Sequence, residues 1–322
     1  MLPQFLSRLR LRLPRRSPAA PAGWNALAWS GKGLHGVSLA FPARGSQRPR
    51  VLRHAFHPGA AEDIASLKTM ATALWGRRLG WMVLAQRHQY RMAVLPRPPV
   101  EAAELSESLR WALADRLGYP ADQAVLSWAQ VPGGSTSEPE LYVAAAPRDA
   151  MTKLRERFQQ ADLELGAVDI QEMAQRNLAA LAETPGELLT LVAPDEEGVQ
   201  ISFTQDGELL LDRYVAAGDG LLGGFASSGH AGLAERVAME LQRSLEVLTQ
   251  ARPEIAPGRV MLTPGQSALR APLTDALGIP VQMLELAQYL DLDEAPELQD
   301  PDTQGAYLPA LGAALRGCPL RS

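Results

Sequence analysis

Gly31-Lys-Gly-Leu-His-Gly36 has the Gly-x-Gly-x-x-Gly spacing of a dinucleotide-binding turn, but Val37-Ser-Leu-Ala-Phe41 follows it. That turn requires a strand before it and a helix after it, because the helix N-terminus carries the pyrophosphate. Here the residues after Gly36 alternate with period two, so the glycines join two strands and a Rossmann reading fails. Working outward, Trp24 to Trp29, Leu34 to Phe41 and Val51 to Phe56 predict three short strands. A helix over Glu62 to Trp75, with Ile64, Leu67 and Ala71 on one face, and strands at Trp81 to Ala85 and Tyr90 to Leu95 complete a first unit.

The pattern recurs. Leu188 to Val192, Val199 to Thr204 and Glu208 to Val215 read as strands, followed by the strongest helix of the chain, Leu233 to Thr249. A strand at Arg259 to Leu262, a helix at Leu269 to Leu277, a strand at Pro280 to Met283 and a helix at Gly305 to Leu315 close it. Between the two β-β-β-α-β-α halves lies a helix over Glu101 to Leu117 with strands at Ala124 to Gln130 and Leu141 to Ala146. A helix at Asp149 to Ala161, a strand at Leu165 to Asp169 and a helix at Ile170 to Ala182 then finish the first half. The expected organisation is a tail over 1–23, a first lobe over 24–95 and 148–185, an inserted α/β subdomain over 96–147, a second lobe over 186–317 and a tail over 318–322. Two such halves around a cleft outline an actin-like (ribonuclease H-like) two-lobed ATPase fold, which by itself licenses no function.

The 322 residues carry 31 Lys+Arg and 36 Asp+Glu, a net charge of −5, but unevenly. Ten bases and no acid fall before Glu62, leaving 21 bases against 36 acids in the remainder. Leu2, Phe5, Leu6, Leu9 and Leu13 lie at helical spacing with Arg8, Arg12 and Arg16 off the stripe; Arg15 adds to the charge. Such a segment suits an anionic membrane surface at about 1 kcal/mol per Arg. Without interleaved aromatics it is a poor nucleic-acid footprint. No apolar run reaches the roughly 20 residues of a membrane span, so a cytoplasmic protein is expected, with the basic segment as its candidate contact to the inner-membrane surface. The single cysteine, Cys318, excludes an internal disulfide and is expected in an exposed tail.

Familiar catalytic motifs are missing: no Walker lysine, no His-Glu-x-x-His, no Cys-x-x-Cys and no Gly-x-Ser-x-Gly. His54 and His57, three apart on a strand, point to opposite faces and make no ligand pair. The run Glu285, Asp291, Asp293, Glu294, Glu297, Asp300, Asp302 reads as a solvated loop, with docking of a basic partner segment or weak binding of a divalent ion as alternatives. Trp75, Trp81, Trp111 and Trp128 read as core or subdomain-interface residues.

The order of elements resembles the PilM family of actin-like proteins of type IV pilus assembly, and within it the MshI branch of the mannose-sensitive haemagglutinin (MSHA) pilus. The likeness is carried by Val94-Leu-Pro-Arg-Pro-Pro-Val-Glu-Ala-Ala-Glu-Leu105, Val168-Asp-Ile-Gln-Glu-Met-Ala-Gln-Arg-Asn-Leu178, Arg213-Tyr-Val-Ala-Ala-Gly-Asp-Gly220, Met239-Glu-Leu-Gln-Arg-Ser-Leu-Glu-Val247 and Tyr307-Leu-Pro-Ala-Leu-Gly-Ala-Ala-Leu-Arg316. It spans Trp24 to Arg316. It implies a nucleotide between the lobes, held in this chain by Ser30, Gly31, Lys32, Gly33, Gly218, Gly220 and Gly265, with ATP and Mg as cofactors. The loops depart from that pattern. The family's first hairpin is Asp-x-Gly-like, and Ala28-Trp29-Ser30 has no carboxylate. The second is Ala193-Pro-Asp-Glu-Glu-Gly-Val199, in which Pro194 lacks an N–H and three acids face the phosphate position. Each like-charge pair there would cost about 4 kcal/mol at 4 Å and an effective dielectric of 20. The third loop is Thr263-Pro-Gly265-Gln-Ser267 in place of Gly-Gly.

The expectation is therefore a non-catalytic adaptor with no required cofactor. The resemblance implies a PilN-like inner-membrane partner, whose cytoplasmic peptide would lie in a groove within Trp81 to Ala146, along with other pilus assembly proteins. The alternatives are a member that retains ATP and Mg, and a GspL-like type II secretion domain.

Overall fold

The computed structural model describes residues 23–42, 48–59, 63–74, 79–132, 139–216, 227–256 and 258–319. The basic stretch with Arg8, Arg12, Arg15 and Arg16, the glycines Gly218 and Gly220, and Trp75 lie outside these residues.

Two five-stranded sheets share one topology. The first contains β1 (Gly23–Ser30), β2 (Gly33–Ala40), β3 (Arg50–His57), β4 (Gly80–Leu84) and β8 (Leu165–Asp169), ordered β3-β2-β1-β4-β8. The second contains β9 (Leu189–Pro194), β10 (Gly198–Gln205), β11 (Glu208–Ala216), β12 (Arg259–Leu262) and β13 (Val281–Met283), ordered β11-β10-β9-β12-β13. In each, the first three strands form an antiparallel meander and the last two run parallel to the first. This duplicated arrangement is the actin-like fold.

Strand alternation sets up the layers. On the first sheet Leu27, Leu34, Trp81 and Val83 face α1 (Ile64–Ala73) and α3 (Arg148–Gln160), while Ala26, Val37, Leu39 and Met82 face the second lobe. On the second sheet Val192, Val260 and Leu262 face α5 (Ser227–Ala251) and α6 (Ser267–Leu277), while Leu189, Leu191 and Met261 face back. Both sheets are thus covered on two sides, as sheets with parallel strands require. The shared core between them holds α4 (Gln171–Ala182) and α7 (Pro301–Ala314). These helices are exchanged: α4 leaves the first sheet and packs on β9, β10 and β11, and α7 leaves the second and packs on β1, β2 and β4. A segmentation at residues 185 and 186 follows the chain, so it assigns α7 to the lobe it does not cover. Periodicity reports that a face is buried and not what it is buried against.

A third sheet, ordered β5-β7-β6, joins β5 (Arg91–Pro96), β6 (Ala124–Gln130) and β7 (Glu140–Pro147) under α2 (Leu105–Leu117). The inserted subdomain therefore opens at β5, from Arg91, and not at residue 96; Pro96 itself pairs with Glu140 in register at the strand end, where its missing N–H is tolerated.

Two single-residue expectations change. Trp111 stands 67% exposed on α2, whereas Trp81 is buried. Cys318 is half-buried against the shared core, and burial pushes its thiol up to about 11. The acidic run is largely exposed, as a solvated loop has it, and part of it meets this chain's own basic strand. Asp291 lies opposite Arg50 in a parallel bridge, its carbonyl accepting the Val51 N–H and its N–H donating to the Pro49 carbonyl; Glu294 Oε1 lies 3.4 Å from Arg50 Nη1 and Glu297 Oε2 lies 3.2 Å from His54 Nε2.

Candidate inter-lobe site

The turns β1–β2 and β9–β10 meet across the cleft. The first is a two-residue turn, Gly31-Lys32, closed by the pair Ser30–Gly33. Gly33 has φ +146°, and a Cβ there would strike the His57 carbonyl, so the turn is built for glycine. Ser30 Oγ accepts the Lys32 N–H at 3.2 Å and lies 3.1 Å from His35 Nε2. The His35 ring packs on Phe56 and Tyr307, and burial, followed by Lys32, holds its pKa below the ordinary value, so the imidazole is neutral.

The second turn is shaped by Asp195, whose Oδ1 accepts the N–H groups of Glu197 and Gly198, both at 2.8 Å. This Asx-type closure turns Glu196 toward the first lobe, where its Oε2 accepts the Gly31 N–H at 3.3 Å. A carboxylate of the protein thus fills the donor that an anion in the cleft would use. A Cβ on Gly31 would lie 2.6 Å from that oxygen, the mobile end of a side chain that can give way.

Behind the turns, Arg87 supplies the positive charge. It lies on the single turn Arg87–Gln89 between β4 and β5. Its guanidinium bonds the Gln200 side chain, stacks 4.0 Å from the Tyr214 ring centroid, and lies 3.7 Å from Glu172 Oε1 and 3.9 Å from Asp195 Oδ2. Tyr90 is buried and donates its hydroxyl to Glu172 Oε2 at 2.6 Å; burial and Glu172 push its phenol far above the ordinary value. Asp212 accepts from Gln200 at 3.0 Å and Ser202 at 2.7 Å, yet burial, with Glu172 next, raises its carboxyl to about 7. Several carboxylates, from the buried Asp212 to the partly exposed Asp195, therefore share one guanidinium.

The sequence-predicted residues divide. Ser30, Gly31, Lys32 and Gly33 come together opposite Glu196. Gly265 does not join them in the described contacts: with φ +77° it lies against the first turn of α7, near Pro301 and Gly305. Sequence reading missed Arg87, Tyr90 and Asp212. Glu172 and Tyr214 lay inside stretches singled out for other reasons, and Gln86-Arg-His-Gln-Tyr90 offered only a polar break between two apolar strands. A second, half-buried pair joins two of the quoted stretches: Arg316 Nη1 lies 3.1 Å from the buried Asp169 Oδ1, and Trp24 Nε1 donates to the Arg316 carbonyl at 3.0 Å. Burial still pushes the Asp169 carboxyl up despite that partner.

Among the described residues, no cluster of His, Cys, Asp and Glu could hold a metal ion, and no helix is long and apolar enough to cross a membrane. A surface cavity of about 600 Å³ lies away from the cleft, between Phe41, Arg48 and Arg50 and the segment Leu290 to Asp293.

The sequence matches no protein-family model and no curated protein. Solved structures do match. A chain of the PilM-PilN type IV pilus biogenesis complex is similar over 94% of this chain and 99% of its own, at 20% identity and a TM-score of 0.69. More distant are an actin-like ATPase-fold protein of Bacteroides thetaiotaomicron (12% identity, 89% and 96% covered, TM-score 0.46) and the cytoplasmic domain of EpsL from the Vibrio cholerae type II secretion system (12%, 64% and 79%, 0.42). The first likeness establishes that the actin-like fold extends over nearly the whole chain.

Proposed function

We propose that this protein is a non-catalytic, actin-like platform of type IV pilus assembly, of the MSHA kind, that binds the cytoplasmic N-terminal segment of a PilN-like inner-membrane protein. The observation that carries the non-catalytic part is the Glu196 carboxylate on the Gly31 N–H. A polyphosphate would have to displace this carboxylate and then face Asp195 and Glu197 beside it. Arg87 already supplies the positive charge that a bound cation would bring. The fold shared with a chain of a PilM-PilN complex supports the partner class.

The small sheet offers a place for such a segment. Register puts Val94, Tyr142 and Ala129 on one face, opposite the face under α2. Tyr142 is covered, but Val94 and Ala129 are exposed, and β5 and β6 are both sheet edges. An extended peptide can add to such an edge and lay apolar side chains on the adjoining face. In this reading the protein sits at the cytoplasmic face of the inner membrane, with Arg8, Arg12, Arg15 and Arg16 on anionic lipid and other assembly proteins around it.

Calorimetry tests both halves. The partner's cytoplasmic peptide is expected to bind saturably, and Val94→Glu to weaken it at least tenfold with the fold intact. Mg-ATP is expected to give no binding heat at millimolar concentration. Absence of peptide binding, or micromolar Mg-ATP binding, would overturn the corresponding half.

A further inference from the structure

Arg87 stands where three bodies meet. Its backbone is the connector from the first large sheet into the small sheet. Its side chain leaves both and reaches Glu172 on the crossing helix α4, Asp195 and Gln200 in the second lobe, and the Tyr214 ring on β11. The connector is otherwise fixed by Tyr90, which bonds Glu172 and accepts the Gln171 N–H at 3.2 Å.

Two further ties join the small sheet to the second lobe. Val131, Tyr142 and Met92 of the small sheet pack with Met173 of α4 and Leu209 of β11 in a separate apolar cluster. The Arg252 guanidinium, at the end of α5, donates to the Pro132 carbonyl just beyond β6. The small sheet is thus inserted in the first lobe by sequence but is tied by side chains to the second. Of the three ties, the apolar cluster and the Arg252 bond are direct. Arg87 alone also touches the loop that closes the cleft.

We propose that Arg87 is a clasp that couples the small sheet to the cleft turn Asp195–Gly198, so that loading the small sheet and closing the lobes are one equilibrium. Charge explains why an arginine suits this position. A planar guanidinium presents five donors in a rigid fork and lies flat on an aromatic face while using them; an ammonium has three donors around a single point and no plane to stack. A partner seated on β5 or β6 would then be felt at Glu196 and Gly31, about the cleft, without touching either. The coupling is carried by contacts within this chain, so it stands or falls independently of the identity of the partner.

Hydrogen exchange of the full chain, followed peptide by peptide, tests the clasp without any ligand. In Arg87→Ala, exchange is expected to rise about tenfold both at residues 195–198 and along β5, the size of one lost charge-assisted hydrogen bond. The double variant Asp195→Asn/Tyr214→Leu approaches the clasp from the other side. It is expected to speed exchange in β5, although neither altered residue belongs to the small sheet. Lys153→Ala, an exposed residue of α3, should change neither region. If β5 keeps its wild-type protection while 195–198 loosens, Arg87 only supports its neighbours and the proposal fails. Should Arg87→Ala not fold, the same criterion applied to the double variant decides.

Discussion

At the residue scale, the cleft sets buried carboxylates against too few cations, and this has a sign. Asp212 titrates near 7 in the folded protein, well above an ordinary carboxylate, because burial and Glu172 disfavour its charge. The folded state therefore holds a proton that the unfolded chain has released. Stability falls as pH rises from about 4 to about 7 and then levels. Asp212→Asn keeps an acceptor for Gln200 and Ser202 and removes the titration. Urea midpoints compared at pH 5 and pH 8 should drop less in the variant than in the wild type, and parallel drops would refute the assignment. Asp169 is the contrasting case, since its cation is present. Removing it by Arg316→Ala leaves a buried carboxylate with only the Ile170 N–H, and should cost about 2–3 kcal/mol in denaturant unfolding. This lies below the full cost of a broken buried pair because the Arg316 side chain remains partly in water. Replacing both partners, Asp169→Leu with Arg316→Leu, should recover much of the loss.

At the element scale, the crossing of α4 and α7 is the tightest contact between the exchanged helices. Gly312 lies against the Ala174 backbone so closely that a Cβ would run into its carbonyl, and Asn177 Nδ2 donates to the Gly312 carbonyl at 2.9 Å. Gly312→Ala should destabilise by about 2–3 kcal/mol through forced separation of the helices, read as a lower urea midpoint with unchanged slope. A neutral result would mean that the helices can part without cost. The same elements mark what the sequence made legible. Each strand of both large sheets was visible because period-two alternation writes its two buried faces directly, as in Ala26 and Leu27, which face opposite layers. The turn at Gly31 and the acids at 195–197 were visible because glycine and clustered charge interrupt the apolar alternation of the flanking strands. Partnership was not. Nothing local in Arg91–Pro96 says which sheet it joins, nothing in Tyr307–Arg316 says which lobe it covers, and Arg87 belongs to no motif. These are long-range choices made by shape and by charge at a distance.

At the scale of the whole molecule, the two lobes are held by a shared core, a half-buried ion pair and a polar clasp, and the cleft turns already touch. The uneven charge of the chain is spent partly on itself. Arg50 and His54 from the basic end meet Glu294 and Glu297 from the acidic end, so the −15 balance beyond residue 61 overstates the free negative surface. One arrangement also has a consequence for biogenesis. The first large sheet is finished by α7, encoded some 260 residues after β2. On the ribosome, at roughly 5–20 residues per second, that face with Val37, Leu39 and Met82 waits about 15–50 s for its cover. A nascent chain stalled, or a product clipped, ahead of Pro301 carries a bare apolar sheet however complete its first lobe looks in translation order. Holdase chaperones and quality-control proteases would see that intermediate on every round of synthesis.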